Sequence, residues 1–323
     1  MVSRQGVFHK IASFFIGLAA FFVVSAASAA PLKAVVTVGM VADVVRAVGG
    51  DEVDVVTLIG SGVDPHSYRQ TRSDVSQLAR ADIIFANGLH LEAQLEELLN
   101  QLKSRTPVIS VADMLDEKAL IAAEDFSSRY DPHVWMDPLL WSKTIAIVRE
   151  VLIEAMPDKS DVFDKNASAY HAALIELHDK VKATLDTVPK EKRVLITAHD
   201  AFSYFGRAFD VEVIGIQGLS TESEAGLQRI EAMVALLARR NIEAVFVESS
   251  VSEKNIKALI EGAQARGQKV SIGGTLFSDA MGEAGTFEGT YIGMIDHNAT
   301  TITRGLGGEA LEGGITGHLS PHS

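Results

Sequence analysis

No cysteine occurs among the 323 residues of the chain. That absence excludes disulfides, thiolate zinc sites, thiol nucleophiles and a lipid-bearing cysteine. Cations are scarce: 29 Lys and Arg stand against 42 Asp and Glu, a formal net charge of −13. A phosphate backbone needs a basic footprint, so this balance argues against a nucleic-acid partner. Several enzyme signatures are missing as well. There is no H-E-x-x-H, no G-x-S-x-G elbow and no G-x-x-x-x-G-K-[ST] phosphate loop, which removes the common zinc-hydrolase, α/β-hydrolase and nucleotide-binding patterns. Gly60-Ser61-Gly62 is too short a glycine pattern for a dinucleotide site.

What is present describes a packed globular protein, 47% hydrophobic and 22% charged. At ~150 residues per domain the length suggests two domains. The N-terminus reads as a secretory leader. Arg4 and Lys10 precede an apolar run of 14 residues, Ile11 to Val24, followed by Ser25-Ala26-Ala27-Ser28-Ala29-Ala30. The run is shorter than the ~20 residues needed to span a bilayer. Ala27-Ser28-Ala29 fits an A-x-A cut, so residues 1–29 are expected to be removed, leaving an exported protein with no other membrane-spanning stretch.

From residue 31 onward, β-branched runs alternate with helical patterns. Strands are expected at Ala34–Val38, Val53–Ile59, Asp82–Ala86 and Pro107–Val111, then at Val194–Ala198, Glu212–Ile216, Ala244–Glu248 and Lys269–Gly273. Their continuous apolar character fits parallel sheets covered on both faces. Ser73–Ala79 and Gly226–Arg239 read as intervening helices. Between the halves, Phe163, Ala167, Tyr170, Leu174, Leu177, Val181 and Leu185 recur at helical spacing. A single helix from Ser160 to Val188, bounded by Pro157 and Pro189, would be about 40 Å long and stiff. The pattern divides the chain into a leader (1–29), an α/β lobe (30–157), a linking helix (158–189), a second α/β lobe (190–303) and a Gly-rich, loosely ordered tail (304–323). His171 and His178 on the helix read as solvated surface.

In open α/β sheets ligands gather beyond the carboxyl ends of the strands. Four loops place potential metal donors there: Asp64-Pro65-His66, Asp131-Pro132-His133, His199-Asp200 and Ser278-Asp279. The proline in each Asp-Pro-His stiffens its loop. Three imidazoles and one carboxylate, two ligands from each half, make a nitrogen and oxygen cage for a divalent first-row metal. His90, in Asn87-Gly88-Leu89-His90, is the chief competitor and reads as a supporting or structural residue; His297 reads as structural. A catalytic zinc keeps one position for water, whereas four protein ligands close the site. A closed cage implies binding, not turnover.

The residues around these loops resemble a known family. Asp64-Pro65-His66-Ser67-Tyr68, Asp131-Pro132-His133-Val134-Trp135-Met136-Asp137-Pro138 and Thr197-Ala198-His199-Asp200-Ala201-Phe202-Ser203-Tyr204-Phe205 carry the likeness. So do Gly215-Ile216-Gln217-Gly218-Leu219-Ser220-Thr221-Glu222, Phe246-Val247-Glu248-Ser249-Ser250 and Leu276-Phe277-Ser278-Asp279-Ala280-Met281-Gly282. In order, from about residue 33 to 303, they resemble the bacterial solute-binding protein 9 family, zinc- or manganese-binding receptors of ABC importers. The resemblance implies two α/β lobes, each with a parallel sheet flanked by helices, joined by one long rigid helix with the metal between them. It implies His66 and His133 as first-lobe ligands and His199 and Asp279 as second-lobe ligands. It also implies a separate membrane permease and ATPase as partners.

Two departures bear on the metal. Dedicated zinc receptors of the family often carry a His- and Asp-rich loop before the second ligand, and Ala112–Asp131 contains no histidine. Many manganese receptors place a glutamate where His199 stands. The ligand set therefore resembles the mixed zinc/manganese branch. A bidentate Asp279 would raise the oxygen count, which suits manganese. The expectation is a periplasmic, monomeric receptor without a lipid anchor, taking manganese in preference to zinc, with iron third. A secreted metallo-hydrolase and a surface adhesin are the competing classes. Because free imidazole titrates near ~6.5, metal affinity is expected to fall from about pH 7 toward 5, with the metal-free protein changing much less.

Overall fold

Every expected strand forms, and in each half the strands lie parallel. The computed structural model describes residues 30–123 and 129–320, so the expected leader, residues 1–29, lies outside the described residues. The first lobe runs β1 (Leu32–Val36), α1 (Gly39–Gly49), β2 (Val53–Thr57), α2 (Arg72–Leu78), β3 (Ile83–Ala86), α3 (Glu96–Leu102) and β4 (Val108–Ser110). Its sheet has the order β2-β1-β3-β4. Ala34, Val35, Val36 and all of Ile83–Ala86 are buried, as strands covered on both faces must be. The helix α4 (Pro138–Ala155) follows. Pro138 occupies its first turn, where a missing N–H costs nothing, and the Asp137 carboxylate caps Leu139 N and Leu140 N.

The linking helix α5 spans Ser160–Leu185, 26 residues or about 39 Å. Phe163, Ala167, Leu174, Leu177, Val181 and Leu185 form its buried face, set against α1, α4 and the last helix, α9 (Tyr291–Gly305). His178 is a correction: it is buried and packs on the Phe209 ring at 5.0 Å between centroids. It stands four residues after Leu174 and three before Val181, on the apolar stripe itself. His171 is exposed.

The second lobe runs β5 (Val194–Thr197), α6 (Ser203–Phe209), β6 (Glu212–Gly215), α7 (Leu227–Arg240), β7 (Ala244–Glu248), α8 (Lys254–Ala265) and β8 (Ser271–Leu276). The ladders pair β5 with β6 and β7 with β8, all parallel, and β5 lies alongside β7. β8 falls later than expected because Gly273-Gly274 does not end the strand. The pair sits where the register shifts, with Gly274 at φ +153°. A Cβ on Gly273 would meet the Phe246 ring at 2.8 Å, and one on Gly274 would meet Thr301 at 2.3 Å.

The tail also departs from expectation. The Asp296 carboxylate, fully buried, accepts from Ile315 N at 2.7 Å, Thr316 N at 2.9 Å and Thr316 Oγ1 at 2.6 Å. Glu309 N donates to Thr187 Oγ1, Ser320 N donates to Glu288 Oε1, and Leu319 is buried. The chain is thus packed through residue 320. Among the described residues no helix is long and apolar enough to cross a membrane.

One apolar core runs through both halves, from the first sheet across α4 and α5 to Phe202, Phe205, Phe246 and Tyr291. A second, smaller core lies between the second lobe's strands and helices α7 and α8. Because α5 is shared, truncating its buried face should destabilise the whole unit. Phe163→Ala is expected to cost about 3–5 kcal/mol in urea unfolding, whereas Ile175→Ala, 38% exposed on the same helix, should change stability by less than about 0.5 kcal/mol.

Candidate metal centre

The four loops at the strand ends converge. His66 lies between β2 and α2, His133 just before α4, His199 immediately after β5 and Asp279 after β8. Each Asp-Pro-His closes on itself: Asp64 Oδ1 accepts from His66 N and Asp131 Oδ1 from His133 N, both at 2.9 Å. An aspartate side chain reaching two residues on in this way fixes a turn. The His133 loop is also held from outside, by Asn87 Nδ2 donating to Pro132 O at 3.1 Å and Tyr204 OH donating to Asp131 O at 2.8 Å. Asn87 is in turn set by Glu92, whose buried carboxylate accepts from Thr37 Oγ1, Asn87 N and Gly88 N. On the second-lobe side, Trp135 Nε1 donates to Ser278 O at 3.0 Å, beside Asp279.

His66, His133, His199 and Asp279 each offer one ligand atom, all within 4.8 Å of one another. Their exposures are 2%, 0%, 0% and 1%. The Nε2 atoms of His66 and His133 are 3.3 Å apart. Asp279 Oδ1 is 3.3 Å from His133 Nε2, and Oδ2 is 3.1 Å from His199 Nε2 and 3.9 Å from His66 Nε2. For an ion about 2.1 Å from each ligand, tetrahedral edges are about 3.4 Å. The spacing fits one such ion. The chemistry of the donors fits too: His199 Nε2 and both Asp279 oxygens are buried and make no aligned hydrogen bond, a costly arrangement unless a cation satisfies them.

Two of the rings are fixed on the side away from the centre. His133 Nδ1 lies 2.7 Å from Asp131 Oδ1, and His199 Nδ1 lies 2.5 Å from Glu248 Oε2. Glu248 also accepts from His199 N at 2.9 Å through its other oxygen. At His133 the carboxylate on Nδ1 holds that nitrogen as the donor and leaves the Nε2 lone pair facing the other three side chains. The close Glu248 contact at His199 is an ion pair without aligned hydrogen-bond geometry. Sequence reasoning gave Glu248 no role. Its signals are a charged residue ending the otherwise apolar strand Ala-Val-Phe-Val-Glu and its place in the resembling motif Phe246-Val247-Glu248-Ser249-Ser250.

The other candidates lie elsewhere. His90 Nδ1 sits 2.7 Å from Glu96 Oε1, outside the cluster. His297 Nε2 lies 2.9 Å from Thr275 O, with its ring 4.7 Å from that of Phe277, a structural placement. Asp200, next to His199, is bound by Ser203 Oγ.

The family model described as ZnuA, zinc-uptake complex component A periplasmic, matches residues 34–305. The chain belongs to this family. The members of this family, the solute-binding proteins of metal ABC transporters, are not enzymes. Among its relatives, the zinc-binding protein TroA of Treponema pallidum is 44% identical over 282 residues, covering 87% of this chain and 91% of TroA. The manganese-binding lipoprotein MntA of Bacillus subtilis is 43% identical over 275 residues, covering 85% and 90%. The solved structure of periplasmic zinc binding protein TroA from Treponema pallidum superposes with a TM-score of 0.83 at 43% identity, covering 85% of this chain and 99% of that one. The fold expected from the resemblance, two α/β lobes joined by a long helix with the His and Asp cluster between them, is the fold observed.

Electrostatics moves the expected pH window. Burial alone would lower His133, but the Asp131 and Asp279 carboxylates outweigh it and raise the ring to about 9. Burial opposes protonation of His199 too, and Asp279 and Glu248 hold it well above its ordinary value. For His66 burial dominates, and the ring falls to about 4. A folded value of about 9 lies above the unfolded ~6.5. Protonation of His133 therefore stabilises the metal-free fold fully below pH ~6.5, and that contribution is lost as pH rises through about 9. His66 has the opposite sign, its contribution being present above ~6.5 and lost as pH falls through about 4. Metal-free protein should accordingly lose thermal stability between about pH 7 and 9.5, a window above the pH 7 to 5 range expected from free imidazole. Metal binding at pH 7.5 should displace at least about one proton per ion. Calorimetry in buffers of different ionisation enthalpy measures this, and a zero slope would contradict the assignment of protons to these rings.

Proposed function

We propose that the chain is the exported receptor of a metal ABC importer, capturing one divalent transition-metal ion through His66, His133, His199 and Asp279 and passing it to a separate permease and its ATPase. The observation that carries this reading is the convergence of three imidazoles and one carboxylate at full burial, two from each lobe. In this reading residues 30–157 and 190–303 are the lobes and 158–189 the connector. The receptor is a free periplasmic monomer, released by removal of residues 1–29. The lack of any cysteine supports the absence of a lipid anchor, in contrast to the relative described as a lipoprotein.

The metal we favour is manganese, with zinc second and iron third. The names of the relatives point both ways. The supporting observation is that both oxygens of Asp279 face the imidazoles. Bidentate ligation through them raises the oxygen count above that of a tight zinc tetrahedron, and oxygen ligands suit manganese better than nitrogen ones.

The elemental content of protein purified from its own periplasm tests the cargo directly: manganese above zinc supports the preference, and metal-free protein after gentle isolation counts against the receptor reading. Removing either His133 or His199 by alanine substitution should weaken binding by at least about 100-fold, because a prebuilt cage offers no substitute ligand. Unchanged stoichiometry and affinity in both variants would reject the ligand set. His199→Glu exchanges a nitrogen ligand for an oxygen one and should raise the Mn/Zn affinity ratio, measured by competitive titration at pH 7.5; a ratio that stays constant or moves toward zinc removes His199 as the residue tuning the site.

A further inference from the structure

The two Asp-Pro-His loops are built alike but anchored differently. Asp131 turns inward: its Oδ1 receives both His133 N and His133 Nδ1, and its loop is tied down by Asn87 and by the buried Tyr204 hydroxyl. Asp64 turns outward. One oxygen receives His66 N, while the other receives Ser67 Oγ at 2.8 Å and, from the opposite lobe, Thr221 Oγ1 at 2.6 Å. Ser61, Gly62 and Val63, just before Asp64, are exposed.

Thr221 belongs to the segment 216–226, which joins β6 to α7 without helix or strand. The segment is moored to its own lobe by Asp200 N donating to Gly218 O and Gln217 N donating to Ala198 O, and is closed on itself by Gln217 Nε2 donating to Ser223 O. Between those moorings two successive residues reach the first lobe: Thr221 bonds Asp64, and Glu222 Oε1 accepts from Gln94 Nε2 at 2.9 Å. The second contact is exposed and contributes little. The first is half-buried and ends on a carboxylate, and such charge-assisted bonds are the stronger kind. The other end of the His66 loop is also held across the gap, by Ser61 Oγ donating to Met281 O at 3.0 Å.

We propose that Thr221 is a positioning residue for metal retention: its hydroxyl, donated across the interlobe gap to Asp64, keeps the His66 turn closed and slows escape of the bound ion. The inference rests on the reading of His66 as a ligand. With the donor present, Asp64 is fixed by hydrogen bonds to both oxygens, and His66 N stays capped. With it gone, Asp64 keeps only the local bonds from His66 N and Ser67 Oγ, its tie to the opposite lobe is lost, and the turn that presents His66 loosens while His133, His199 and Asp279 keep their own supports. Thr221 thus makes the departure of the first ligand conditional on the second lobe letting go.

The test compares wild type, Thr221→Val and Thr221→Ser loaded with Zn²⁺ and, separately, Mn²⁺, with release followed by stopped-flow capture in excess chelator at pH 7.5. Loss of one charge-assisted bond should speed release about tenfold in Thr221→Val, with the association rate unchanged and Thr221→Ser restored to near the wild-type rate. Unchanged release in Thr221→Val overturns the proposal, as does equally fast release in Thr221→Ser, which would make side-chain shape the cause. A second arm needs no metal. Amide hydrogen exchange at residues 61–68 should quicken in Thr221→Val and recover in Thr221→Ser, and equal exchange in all three proteins overturns the latch. If wild type holds no ion, the receptor reading fails while this arm still decides the latch.

Discussion

A carboxylate stripped of water at the meeting point of two lobes governs this structure. Asp279 is 1% exposed, and such a charge is tolerable only where opposite charge or donors replace the lost hydration. Burial would raise it, yet His199 and His133 hold it well below the usual carboxylate range. Those imidazoles face further buried carboxylates, Glu248 and Asp131. Three carboxylates thus face the rings, and a divalent cation would offset two of those charges, as two ring protons do, while also satisfying the nitrogen lone pairs.

Holding such a centre requires that the lobes not drift apart, and the packing sees to it. The main core does not stop at the lobe boundary. It continues from the first sheet through the long helix into the aromatic cluster of Phe202, Phe205 and Phe209. Buried cross-lobe bonds, Trp135 to Ser278 O, Tyr291 to Trp135 O and Tyr204 to Asp131 O, lie close to the ligands. Rigidity is thus concentrated around His133, His199 and Asp279, while the rim around Asp64 relies on fewer and more exposed contacts. In the proposed receptor, where an ion must enter and leave a buried cluster, this uneven anchoring makes the His66 side the one to give first.

Much of this was legible in the residues. Strand positions follow from short, continuously apolar β-branched runs, and the ligand loops follow from the rule that parallel sheets present their functional groups at carboxyl ends. The long helix was readable from a stripe sustained over about six turns with no glycine. What escaped reading depends on partners distant in sequence. Gly273-Gly274 resembles a strand terminus until Phe246 and Thr301 are seen filling the space a side chain would need. The glycine-rich tail resembles a loose end until Asp296 supplies acceptors for its amides. His178 was misread by chemical type when its register already placed it on the buried stripe. Glu248, set against His199 at the end of β7, becomes meaningful only once β5 and β7 lie side by side.

The packed tail has a practical consequence for anyone handling the protein. Its final described stretch donates to Glu288, and His318 stacks near Phe287, both on the segment that runs from Asp279 to α9. A purification handle, fluorophore carrier or surface tether fused after Ser323 would therefore pull on the connection that carries the only carboxylate in the cluster of four. The exposed Ala30 stands two residues before β1, far from that segment in sequence, so a tether placed there would not act on it directly.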